Sequence, residues 1–183
     1  TVTTSTELAN LSAAGVYSID VFTALAGDED LDNDTLFAAV VENFGTSTPL
    51  SQSNTTATPI PDGDLNGVTS ELFFCGLPEN LDGCLKIENV SIDSLVHGWM
   101  EDVDLYLISP AGDTVELSTD NGGSGDNMFN VIFSDTSSND ITLQTNGIAD
   151  STYSTEEPSG FASLYDGQDP NGAWSLLVID DAG

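Results

Sequence analysis

Leu164-Tyr165-Asp166-Gly167-Gln168-Asp169-Pro170-Asn171-Gly172-Ala173-Trp174 runs straight into Ser175-Leu176-Leu177-Val178-Ile179. The first part is turn chemistry. Gly supplies positive φ, Pro presets φ, and Asp and Asn side chains bond their own backbone. From Trp174 onward the composition and length are those of a strand. Gly122-Gly123-Ser124-Gly125-Asp126-Asn127 has the same turn character in the middle of the chain. A sequence that spends its most distinctive residues on turns between short strands predicts an all-β module, with function on loops and faces rather than in a deep pocket.

The other segments agree. Thr69 to Phe74 and Leu85 to Ile92 read as strands, and Asp102 to Ile108 alternates so that Val103, Leu105 and Leu107 share one face. Ser109-Pro110-Ala111-Gly112 is a tight turn with Pro at its second position, leading to a strand at Thr114 to Leu117. Asn130 to Phe133, Ile141 to Thr145 and Trp174 to Ile179 complete the set. Short strands at even spacing, with no sustained helical period, indicate a two-sheet sandwich or jelly roll. Upstream, residues 46–63 are small polar residues and prolines with almost no core formers, which is linker composition. Residues 1–45 read as a β-hairpin segment. Its strands lie at Gly15 to Phe22 and Thr35 to Val41, around the acidic turn Gly27 to Asp34. A lone hairpin is marginal in water, so it is expected to pack on something else. The expected organisation is therefore a hairpin segment (1–45), a linker (46–63) and a main module (64–183).

The 183 residues carry 31 Asp and Glu against one basic residue, Lys86, for a formal net charge of −30. Nothing here can neutralise a phosphate backbone, so nucleic acid is excluded as a partner, and anionic membrane surfaces are repelled. No run approaches the ~18 apolar residues of a membrane span, so membrane insertion is not expected. No basic-then-apolar leader is present, as in a mature or excised segment. Self-repulsion of this size is screened within ~10 Å at 0.1 M salt, so stability is expected to rise with ionic strength. Cys75 and Cys84 are separated by eight residues that include Pro78, Gly76 and Gly83. A disulfide closing so short a loop is worth roughly 2.5–3 kcal/mol in the chain-entropy model. It would place the chain in an oxidising, extracytoplasmic compartment; the alternative is a pair of free buried thiols.

The stretch His97-Gly98-Trp99-Met100-Glu101-Asp102-Val103-Asp104-Leu105-Tyr106-Leu107-Ile108-Ser109-Pro110-Ala111-Gly112 resembles the strand-turn core of the P domain (P/Homo B domain). That domain accompanies subtilisin-like proprotein convertases and many bacterial secreted proteins. Gly122 to Asn127 followed by Phe133 and Asp135 is similar to its central loop, and Tyr165 to Leu176 to its closing motif. The resemblance covers about residues 64–183. It implies a galactose-binding-like jelly-roll sandwich, non-catalytic itself, that folds against a catalytic domain or serves as an accessory module in larger secreted or surface proteins. Residues 1–45 more weakly resemble the end of a bacterial immunoglobulin-like surface module, through Gly15-Val16-Tyr17 and Asn33-Asp34-Thr35. Two departures stand out. Glu101 occupies a position where the family usually has Gly. Family members also continue past Asp180-Asp181-Ala182-Gly183 into a final strand bearing another Trp. A jelly roll without that strand has an open edge. The sequence is then either a fragment of a longer protein or a subunit whose gap is filled by strand addition, with residues 1–45 as the donor.

His97 is the sole imidazole, and Arg is absent, so Ser/His/Asp catalysis would rest on one base. Beside Trp99 it reads as a packing or hydrogen-bonding residue. Calcium is the better chemical expectation, since hard cations take carboxylate and carbonyl oxygens from irregular loops. Asp28, Asp30, Asp32 and Asp34 recur at alternate positions, although Asn33 and Ala39 fail the full helix-loop-helix pattern. Asp102, Asp104, Asp126, Asn127 and Asp135 form a second candidate set, by family analogy. Solvated turns and Asx bonding to backbone amides are the competing explanation for both sets. Most of Trp99, Tyr106, Tyr153, Phe161 and Tyr165 are expected to pack in the core or on turns rather than form a sugar-stacking face. The expectation is an extracellular structural or accessory module whose partners are other domains of its parent protein. A self-assembling fibre subunit built from copies of itself, and a stabilising domain of a subtilisin-like protease, are the alternatives.

Overall fold

The computed structural model describes residues 49–82 and 85–183 with their side chains, and residues 15–22 and 35–43 as backbone. The chain divides into two compact units, Thr1–Ser51 and Gln52–Gly183. In the first, β1 (Gly15–Phe22) pairs antiparallel with β2 (Thr35–Asn43), with an irregularity between Ile19 and Val21.

The second unit holds two sheets. The strands of the first are β3 (Val68–Phe74), β5 (Val103–Ile108), β6 (Thr114–Ser118) and β10 (Gly172–Asp180), in the order β3-β10-β5-β6, all antiparallel. The second sheet sets β4 (Val90–Leu95) beside β7 (Met128–Phe133). β7 also carries the short parallel partners β8 (Ile148–Ala149) and β9 (Thr152–Tyr153). One short helix, α1 (Gly160–Leu164), precedes β10. Period-2 alternation places Val103, Leu105 and Leu107 inward on β5, as its sequence pattern requires. They share one core with Val115 and Leu117 of β6, Ile92 of β4, Val131 and Phe133 of β7, and Trp174 and Val178 of β10. Both sheets contribute to that single core, which is an all-β sandwich.

The turns account for much of this order. Gly112 N–H closes the Ser109–Gly112 turn onto the Ser109 carbonyl at 2.9 Å, with Pro110 at its second position. In the closing motif, Asp169 Oδ1 accepts from both Asn171 N and Nδ2, an Asx turn. Asn171 then holds Leu77 by both its N–H and its carbonyl, while the Gln168 carbonyl accepts from Leu81 N. Gln168 also accepts from Ser109 Oγ and donates to Asp113. One polar loop thus ties the 77–81 segment and the β5–β6 turn to the start of β10. In the central loop, an added Cβ on Gly125 would collide with the Gly147 backbone nitrogen, so no side chain fits there.

Two sequence expectations need correction. The strand expected at Leu85 to Ile92 begins only at Val90 and continues to Leu95. Upstream, the Leu85 carbonyl bonds Asp82 N and the Glu88 carbonyl takes Ser134 Oγ, so these groups serve turns rather than a ladder. Leu85 and Ile87 still pack on the core, which is why the apolar pattern resembled a strand. Ile141 to Thr145 is not a strand either. Asp140 Oδ1 accepts from Thr142 N and Oγ1 and winds Ile141–Leu143 into a single 3-10 turn. The local side-chain bond competes with the ladder and wins.

Candidate functional site

His97 lies between β4 and β5, and its surroundings explain the single imidazole. Its backbone N–H donates to Asn127 Oδ1 at 3.1 Å, and its carbonyl accepts from Asn127 N at 2.9 Å. The ring places Nε2 3.1 Å from Asp180 Oδ2 at the end of β10, and Nδ1 2.8 Å from the Trp99 carbonyl. Asp180 is 3% exposed, so the contact is an inward one. The imidazole fastens the β4–β5 connection to β10, and the His97 backbone fastens it to the central loop. That is the hydrogen-bonding role expected of it.

The acidic residues separate by task. Asp135 accepts from Phe161 N at 2.9 Å and Ala162 N at 2.8 Å, a long-range cap on the first turn of α1. The Asn127 side chain is taken by His97. The Asp102 carbonyl accepts from Asp181 N, and Asp126 is exposed on the central loop. Asp104 differs from all of these. Its Oδ1 is buried without a hydrogen-bond partner, and its pKa is raised from 3.8 to about 6. Desolvation is the largest cause, followed by the charges of Asp120, Asp181 and Glu116; a hydrogen bond from the Asp120 backbone opposes them. Desolvation, then the charges of Asp104, Glu116, Asp120 and Glu156, push the neighbouring Tyr106 hydroxyl up to about 12. None of the other acids of the sequence set is among the charges that act on Asp104. Its charged neighbours come instead from β6, the loop after it and the end of β10.

Among the described residues, no group of three or more His, Cys, Asp or Glu side chains is arranged to hold a metal ion. Asp28, Asp30, Asp32 and Asp34 lie outside the described residues, as does Cys84. Cys75 is exposed just beyond β3. No described helix is long and apolar enough to cross a membrane.

Of the aromatic residues, Tyr153, Phe161 and Tyr165 are buried at 5%, 1% and 1% exposure, which is the core role expected. Trp99 departs from it. It is 48% exposed, while Met100 beside it, at 1%, takes the inward position.

Comparison with known proteins places this geometry. Residues 87–183, more than half of the chain, match the family model described as proprotein convertase P-domain. Among solved structures, the chain is similar to one from the complex of an Aeromonas sobria serine protease with its chaperone, at 21% identity and a TM-score of 0.43. That likeness covers 74% of this chain and 20% of the other, so the chain spans about a fifth of the length of the protein it matches. No curated protein matches. The region that matches the family model contains β4 to β10, His97, the central loop and the closing motif, and the chain belongs to the proprotein convertase P-domain family.

Proposed function

We propose that this chain is an extracellular, non-catalytic accessory module that stabilises a neighbouring domain of its parent protein. Membership of the P-domain family is the observation that carries this, and it fits an accessory domain of a protease-type protein. The commitments of the site support it: the one imidazole is bonded to Asp180 and Trp99, and Asp135 is spent on capping α1. Calcium belongs to this proposal as a ligand of the acidic loops. The buried, unpartnered Asp104 Oδ1 is the oxygen that would gain most from a cation. The test is deletion of residues 52–183 from the parent polypeptide. Secreted yield and melting temperature of the remainder are expected to fall; unchanged values for both would overturn the accessory role.

A second proposal is self-association by strand addition. Among the described residues β4 pairs with β7 alone, and Val96 just beyond it is 70% exposed, so the sheet presents a free edge there. Removing residues 1–45 and measuring oligomeric state separates the two proposals. Loss of an oligomer supports a donor strand, and a monomer with or without the segment ends the idea.

A further inference from the structure

Trp99 is the feature that neither the core nor the accessory role absorbs. A Trp at 48% exposure leaves a large apolar face in water, and here the backbone that carries it is fixed by hydrogen bonds. The Trp99 carbonyl accepts from Asp102 N and faces His97 Nδ1, and the adjacent Met100 is anchored in the core with its N–H on the Gly125 carbonyl. The indole borders an open groove of about 460 Å³, within the size range of small-ligand sites. Glu101, Asp120, Ser124, Gln144 and Thr145 line the rest.

The polar groups of this groove divide into used and unused. The floor is spent: Gly122 N bonds the Gln144 carbonyl, Glu101 N bonds the Gly123 carbonyl, and Gly123 bridges to Asn146. Asn121 is taken by Ser118 and Glu156, and Thr142 by Asp140. The side chains of Glu101, Ser124, Gln144 and Thr145, and the Trp99 indole N–H, have no partner among the described residues. Much of the ladder-forming backbone of this floor is already bonded, which disfavours an extended peptide. What remains is one aromatic face beside hydroxyl, amide and carboxylate groups. That combination suits a ligand with a C–H face and a rim of hydroxyls. Glu101 and Asp120, within a chain of net charge −30, select against anions.

We propose that this groove binds a neutral saccharide, one sugar ring stacking on Trp99 with its hydroxyls bonded by Glu101, Asp120, Ser124, Gln144 and Thr145. The inference is independent of the accessory role, because it rests on the groove alone. Its test is fluorescence and calorimetric titration of the full chain with cellotetraose, maltotetraose, mannotetraose and chitotetraose, with tetragalacturonate as the acidic counterpart. At least one neutral sugar is expected to bind in the micromolar-to-millimolar range with a change in Trp emission. Trp99→Ala should weaken it at least about tenfold, Trp99→Tyr less, and Gln144→Ala by a few-fold, since one charge-free hydrogen bond is lost. Circular dichroism shows whether each variant is folded, and Gln144→Ala serves if Trp99→Ala is not. No response to any neutral sugar at millimolar concentration would overturn the proposal. So would preference for tetragalacturonate, or equal binding by folded Trp99→Ala and Gln144→Ala. Response of Trp99 only to a neighbouring protein domain would also overturn it.

Discussion

Tyr165 and Trp174 meet edge to face, with ring centroids 5.0 Å apart and planes at 89°, where the closing motif turns into β10. Each ring also delivers its polar end to a carbonyl: Tyr165 Oη donates to Leu107 O at 2.6 Å, and Trp174 Nε1 donates to Pro170 O at 2.9 Å. The pair therefore links α1, the closing turn, β10 and β5 in one contact. Edge-to-face pairs contribute about 0.5–1.5 kcal/mol beyond area burial.

Tyr165→Phe keeps the ring and removes the hydroxyl donor, so a loss of about 1 kcal/mol is expected in denaturant unfolding. Tyr165→Ala removes a ring that is 1% exposed and should cost about 3–5 kcal/mol. A similar cost for both would mean that the hydroxyl, rather than the ring, holds this corner.

Asp135→Ala takes both acceptors from the first turn of α1. A loss of about 1–2 kcal/mol is expected, as for other helix caps. Because those oxygens are already bonded to Phe161 N and Ala162 N, the loss should be the same with calcium and with a chelator. A calcium-dependent difference would return Asp135 to the metal-ligand set.

Asp104 predicts a specific pH dependence. Its folded-state pKa, about 6, lies above the ordinary 3.8, so the folded state holds this proton more tightly than the unfolded one. Stability should therefore fall as pH rises from about 4 to about 6 and then level off, since the folded protein binds more protons across that window. Asp104→Asn removes the buried charge. The variant should be the more stable protein at neutral pH and should lack this component, read as the difference between the two melting curves. If calcium ligates Asp104, added calcium raises the melting temperature of the wild type at neutral pH and not that of the variant.

Cys75 and Cys84 flank a segment that the closing motif already grips at Leu77 and Leu81. Thiol titration of the denatured, unreduced protein is expected to find no free cysteine, and reduction should lower stability by roughly 2.5–3 kcal/mol. Two titratable thiols would remove the disulfide, and with it the argument for an oxidising compartment.

Legibility differed by the range of the interaction. β5 and β10 were readable because alternation at Val103, Leu105 and Leu107, and the apolar run after Trp174, report burial directly. The Ser109–Gly112 turn was readable because Pro and Gly act through their own dihedrals. Ile141 to Thr145 misled because Asp140, one residue outside the apolar run, decides its conformation. The family's motifs pointed to the sandwich, but they did not assign tasks to the acids. Asp104, Glu116, Asp120 and Asp181 become neighbours only through the order β10-β5-β6, which no local spacing announces. The exposure of Trp99 is illegible in the sequence for a similar reason. Nothing in the local pattern says that Met100 takes the interior position and leaves the indole outside.

The first sheet of the β-sandwich is organised around β10, between β3 and β5. Amide hydrogen exchange on the intact chain is the decisive measurement of this arrangement. The amides of Leu176 to Val178, and of Leu105 and Leu107 opposite them, are expected to be among the slowest to exchange, while residues 52–61 exchange rapidly. Fast exchange throughout β10, with protection concentrated elsewhere, would rule this arrangement out.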